Sequence, residues 1–218
     1  MTIKIKWLLL ALALGWLMVA LGDDMPIIIM RSDKPKDVVT FDELWQDAGQ
    51  DMAWVVEARR ELHRTPELLF DEHMTSGKIA DVLRSLNVNF TVGWAVNTKR
   101  EDLAAKGFVS GSGGTGIVAT IGTGAEPCVL LRADIDALPI TELEDLPWKS
   151  KIDGRMHACG HDGHAAMLLG AASVLKRREA SIRGTIRLIW QPAEEGGAGG
   201  TLRRLPRVVF VVGQKGPL

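Results

Sequence analysis

The chain has 218 residues, enough for one domain with a buried core. Its content of 46% hydrophobic and 24% charged residues is that of an ordinary globular protein, and a formal net charge of -1 excludes binding by blanket attraction to nucleic acid or another polyanion. Two cysteines are too few for a disulfide framework; Cys128 and Cys159 could pair, but Cys159 stands among metal-type side chains and reads as a free thiolate.

Residues 1–22 read as a secretory signal. Lys4 and Lys6 give a positive start, 7–21 is an uncharged apolar run of signal length, and Ala20-Leu21-Gly22 offers small residues for cleavage before Asp23. An uncleaved anchor is the alternative. Either way the rest of the chain is expected in the secretory pathway, in the endoplasmic reticulum lumen or secreted, with no stable membrane span after cleavage. Residues 23–44, with Pro26, Pro35 and mixed charges, read as a linker.

Helical spacing predicts a helix over 47–64 with Met52, Val55, Val56 and Leu62 on its apolar face, ended by Pro66. A second helix over 75–86 carries Ile79, Val82, Leu83 and Leu86, with Thr75 or Ser76 as cap. Between them, His63 and Glu67 read either as site residues or as a helix end and a turn. The pattern fails over 92–114, which reads as a solvated excursion.

Regular structure resumes with β-rich runs at 117–121 and 128–132. The second is apolar nearly throughout, as in a strand covered on both faces, and runs into Ala133-Asp134-Ile135-Asp136. Carboxylates at the carboxyl end of a buried strand stand where α/β sheets bind ligands; an Asp-capped turn before Pro139 is the alternative. Next, Met156-His157-Ala158-Cys159-Gly160-His161-Asp162-Gly163-His164 packs thiol, imidazole and carboxylate ahead of a helix that begins near Asp162, with Met167, Leu168, Ala171, Val174 and Leu175 turned to the core. A strand at 185–190 then leads into Gln191-Pro192-Ala193-Glu194-Glu195-Gly196-Gly197. The order of strand, ligand, helix, strand, ligand is that of a doubly wound α/β fold with its polar groups on one edge. Adjacent glutamates suit a metal-dependent hydrolase, because one can bind metal while the other stays free to move a proton.

Four stretches carry a more specific resemblance: Arg-Arg-Glu-Leu-His-Arg-Thr-Pro-Glu-Leu at 59–68, Leu-Arg-Ala-Asp-Ile-Asp-Ala-Leu-Pro at 131–139, Met-His-Ala-Cys-Gly-His-Asp-Gly-His at 156–164 and Gln-Pro-Ala-Glu-Glu-Gly-Gly-Ala-Gly at 191–199. In this order they resemble the plant IAA-amino acid hydrolases (auxin-conjugate amidohydrolases) of the aminoacylase/carboxypeptidase-type metallopeptidase family. The resemblance implies an α/β catalytic domain with helices on both faces of a mostly parallel sheet, plus a smaller lid or dimerisation domain. It implies Cys159, His161 and Glu195 as metal ligands, Glu194 as general base, and Asp136 as the residue that orients a ligand. The implied cofactor is a divalent metal, manganese first and zinc or cobalt as alternatives. The implied substrate is a small-molecule amide of an indole-3-acetyl or related acid with an amino acid.

The chain also departs from that family. After Gly199 the pattern stops, no histidine follows His164 to supply the two further ligands the family uses, and 95–114 looks inserted. The expected organisation is therefore a signal at 1–22, a linker at 23–44, a partial catalytic domain at 45–200 without its lid, and a divergent tail at 201–218. A site with three of five ligands is expected to hold one ion weakly and to leave this chain inactive. The alternative is a non-enzymatic lumenal fragment that binds metal or dimerises with a full-length relative.

Overall fold

A computed structural model describes residues 39–107 and 110–195, together with the backbone of Trp16–Val19 and Ile28–Arg31. The remainder of the expected signal and linker, and the tail at 201–218, lie outside the described residues. The chain divides into two units, 1–40 and 41–218. In the first, β1 (Trp16–Val19) and β2 (Ile28–Arg31) pair antiparallel, Trp16 opposite Arg31.

In the second unit, α1 (Phe41–His63) and α2 (His73–Ser85) precede β3 (Asn89–Val96), the short α3 (Arg100–Ala105), β4 (Gly113–Gly122), β5 (Cys128–Asp134), α4 (His161–Arg177) and β6 (Thr185–Gln191). The sheet order is β3-β4-β6-β5. Strands β5 and β6, joined through α4, are parallel, as the strand-helix-strand pattern predicts. The α/β class holds, but the expectation of a mostly parallel sheet is corrected: β3 pairs antiparallel with β4, and β4 antiparallel with β6. The reason is connection length. Only residues 123–127 separate β4 from β5, and a parallel crossover takes about a dozen or more. The chain must turn back there, and β6 then fills the gap between the two strands.

The core lies on one face of this sheet. Ile117, Ala119 and Ile121 of β4 stand opposite Trp190, Leu188 and Ile186 of β6. They pack against Ile79 and Leu83 of α2 and Leu168, Leu169 and Ala172 of α4. Among the described residues, the helices on the sheet thus share one face rather than covering both. Trp190 is fully buried, and its indole N–H donates to the Ala165 carbonyl at 3.2 Å. Helix α1 crosses α4 where a Cβ on Gly170 would stand 3.0 Å from Val55 Cγ2. The crossing is clamped by Arg177 on Asp51 at 2.9 Å and Arg178 on Asp47 at 2.8 Å.

Several local expectations change. Helix α1 starts six residues early, and its Met52 and Val56 are exposed while Leu62 is buried. On α4, Met167 faces solvent and Leu169 and Ala172 take its place. The stretch 92–114 is not an irregular excursion: it holds the end of β3, paired with β4 through two register shifts, and α3. Alternation fails there because Gly93 (φ +91°) and Ala95 (φ +62°) turn the strand out of phase. Strand β5, read as covered on both faces, is one of the two edge strands of the described sheet, with Val129 and Leu131 each more than one-third exposed. Among the described residues, no helix is long and apolar enough to cross a membrane.

Candidate metal centre

The site forms where β5, the start of α4 and the end of β6 meet. After β6 the chain turns through Ala193, whose φ of +59° is rare for a residue with a side chain, and so brings Glu194 and Glu195 toward the start of α4. Gly160 has φ +87°, and with nothing near its open side it lets the loop swing from Cys159 directly into the helix at His161.

Cys159, His161 and Glu195 come together, with one potential donor atom from each within 4.8 Å of the others. His161 is buried and oriented from behind: its Nδ1 lies 2.8 Å from the Asp136 carbonyl oxygen and 3.3 Å from the Asp136 carboxylate. This leaves Nε2 directed at the two glutamates, 3.8 Å from Glu195 and 3.9 Å from Glu194. Asp136 also accepts the Glu195 backbone N–H at 3.0 Å, so one buried carboxylate positions both an imidazole and a neighbouring carboxylate. Burial works against charge on His161, yet the Asp136 carboxylate and carbonyl raise its pKa to about 9. The same pairing, with the N–H groups of Glu195 and Glu194, overcomes burial and holds Asp136 below the usual carboxylate range. The Cys159 thiol, facing Glu195 and then penalised by burial, is pushed up. A thiol and imidazole held protonated by surrounding carboxylates are what a cation would displace protons from. The buried Glu195 Oε1 has no hydrogen-bond partner, which also suits a metal ligand.

The two glutamates differ in environment. Glu195 has a side chain 20% exposed within the donor group, whereas that of Glu194 is 46% exposed at its rim. Asp134, the other carboxylate of the β5 end, is not part of the group; it pairs with Arg132, whose Nε donates to Gln191 at 2.7 Å.

His63 and Glu67 lie outside the donor group. Glu67 caps α2, accepting the N–H of Met74 at 3.0 Å and of Thr75 at 2.7 Å, in place of the expected Thr75 or Ser76 cap. His63 sits between two buried carboxylates, 2.7 Å from Asp162 and 3.1 Å from Glu142, and Arg59 reaches Asp162 at 2.8 Å. Asp162 follows His161, so this network anchors the first turn of α4 to α1. The sequence assigned no site role to Asp162, Glu142 or Glu72; each has at least one polar or glycine neighbour, and no local signal sets it apart from a solvated carboxylate. His157 is buried with neither ring nitrogen paired, and burial lowers its pKa to about 4.

A mixed α/β fold thus brings a thiol, an imidazole and a carboxylate together at strand and helix ends, a donor set that suits a divalent metal. Residues 130–213 match the model for Peptidase family M20/M25/M40. The chain is 44% identical over 146 residues to IAA-amino acid hydrolase ILR1-like 5 of Arabidopsis thaliana, covering 67% of this chain and 29% of that protein. It is 44% identical over 160 residues to thermostable carboxypeptidase 1 of Saccharolobus solfataricus, covering 73% and 37%. It resembles a solved dinuclear metal-binding peptidase from family M20 of Bacillus subtilis, with TM-score 0.60 and 39% identity over 71% of this chain and 39% of that one. The chain thus carries part of a domain of this peptidase family. It spans 29% of the length of the plant relative and 37% of the archaeal one.

Proposed function

We propose that the protein is an amidohydrolase that releases an acid, indole-3-acetic acid in the first instance, from its conjugate with an amino acid. The observation that carries the reading is the Cys159, His161 and Glu195 donor group with the half-exposed Glu194 carboxylate beside it. Cys159, His161 and Glu195 would hold a divalent ion, manganese in our reading. When bound, the ion would polarise the amide carbonyl and lower the pKa of water toward about 7. Asp136 keeps His161 and Glu195 aimed. Glu194 takes a proton from the attacking water and returns it to the leaving amine nitrogen as the C–N bond breaks, so an amide and water become an acid and an amine. Similarity to the plant hydrolases supports the indole-3-acetyl conjugate, while the archaeal carboxypeptidase supports peptide-like amides more broadly. We also infer delivery to the secretory pathway, from the charged start and apolar run before Asp23.

The test is release of amino acid from indole-3-acetyl-alanine by the purified chain in Mn²⁺, against Glu194→Gln. Loss of a general base lowers turnover by about 10²–10⁴-fold. Hydrolysis above the Glu194→Gln background supports the reading. Equal rates with Mn²⁺ bound would refute catalysis by this chain and favour a metal-binding protein without activity, a reading supported by the three donors found among the described residues.

A further inference from the structure

We propose that Glu72 is a positioning residue for this site: its buried carboxylate sets the turn that carries Glu194 and Glu195, acting through the Ala193 N–H. The inference deepens the proposed metal site and rests on it for its effect on metal, though not for its effect on the turn. Glu72 is fully buried at the mouth of α2, far in sequence from the glutamates. Its Oε1 accepts two backbone donors, the N–H of Phe70 at 2.9 Å and the N–H of Ala193 at 3.0 Å. Its Oε2 accepts the Thr115 hydroxyl of β4 at 2.8 Å.

Those two donors are not ordinary. Phe70 (φ +61°) and Ala193 (φ +59°) both stand in the left-handed region, which side chains with a Cβ occupy only at a cost. One carboxylate oxygen therefore ties together two strained turns. Their side chains share a small buried cluster with Leu69 and Leu103. Glycine at 193 would reach the same φ freely but would not hold it. Alanine held by Glu72 gives the turn a single setting, and Glu194 follows immediately. Asp136 fixes the next residue by taking the Glu195 N–H. Two buried carboxylates thus grip the glutamate pair through its backbone, one on each side. Burial raises the Glu72 pKa to about 7 against the lowering effect of Thr115, so a neutral acid can serve the same contacts.

The contacts dictate the variants. Glu72→Gln keeps an Oε1 acceptor for both N–H groups, and its amide can donate to the Thr115 oxygen. Glu72→Ala removes all three contacts. In the full chain, Mn²⁺ titration is expected to give a dissociation constant raised about 10–100-fold in Glu72→Ala and little changed in Glu72→Gln, as for other residues that orient ligands. Amide hydrogen exchange at Ala193 is read on the same samples without metal. It should speed up in Glu72→Ala alone, with Ile79 and Ile121 still protected. Wild-type metal affinity and Ala193 protection in a folded Glu72→Ala would overturn the proposal. If the wild type binds no Mn²⁺, the metal-site reading fails by itself, and exchange at Ala193 still decides the role of Glu72. If Glu72→Ala does not fold, Thr115→Val removes the donor to Oε2 while keeping the side-chain shape. Faster exchange at Ala193 in that variant supports the proposal, and unchanged exchange overturns it.

Discussion

Replacing His63 by alanine should destabilise the domain severely without touching the donor group. The His63 ring lies between Asp162 at 2.7 Å and Glu142 at 3.1 Å, with the side chains of all three no more than 3% exposed. Removing one partner from a buried ionic cluster costs about 3–5 kcal/mol, because the carboxylates left behind stay desolvated. Here Asp162 keeps Arg59 at 2.8 Å and Glu142 keeps the Ser150 N–H at 2.7 Å, so the lower end, about 3 kcal/mol, is expected. For a domain of this size that lowers the melting temperature by about 6–12 °C. The assay is urea unfolding of the wild type, His63→Ala, Glu142→Gln and the double variant. A coupling of about 0.5–3 kcal/mol between the two sites is expected for groups in one network. A loss below about 0.5 kcal/mol, or no coupling, would show that the cluster is not a stabilising network and that α4 is held by its apolar face alone.

Two further outcomes follow from the site. Asp136→Ala removes the carboxylate that faces His161 Nδ1 and accepts the Glu195 N–H; Mn²⁺ affinity by calorimetry should fall about 10–100-fold, and unchanged affinity would refute the orienting role. Glu72 has a folded pKa of about 7 against an ordinary 4.5, so the folded state binds the extra proton and stability falls as pH rises between those values. The loss is about 3 kcal/mol in all, at about 1.4 kcal/mol per pH unit. Glu72→Gln should flatten that slope in denaturant titrations at pH 4.5 and 7.5, and an unaltered slope would assign it to another group.

The candidate donor group was legible in the sequence because its residues lie close together in two short stretches of the chain. Cys159 and His161 are two residues apart and Glu194 and Glu195 adjacent, so unusual side chains were concentrated where composition could reveal them. The α2 stripe and the β5-α4-β6 unit were likewise visible, since helical and strand periods are properties of neighbouring residues. Periodicity does not record strand partners or direction. The antiparallel entry of β4 beside β6 depended on which strand filled the gap left by a five-residue turn. Nor does it record which residue of an apolar stripe meets a neighbour, hence the exchange of Met167 for Leu169 in the core. The supports of the site were the least legible part. Glu72 reaches Ala193 across 121 positions, and His63 reaches Asp162 across 99. Such contacts join residues with no local pattern in common, so only packing of the two helices against the sheet could decide them. The sequence alone thus determined which side chains could bind a metal, and the tertiary structure decided which buried carboxylates hold them in place.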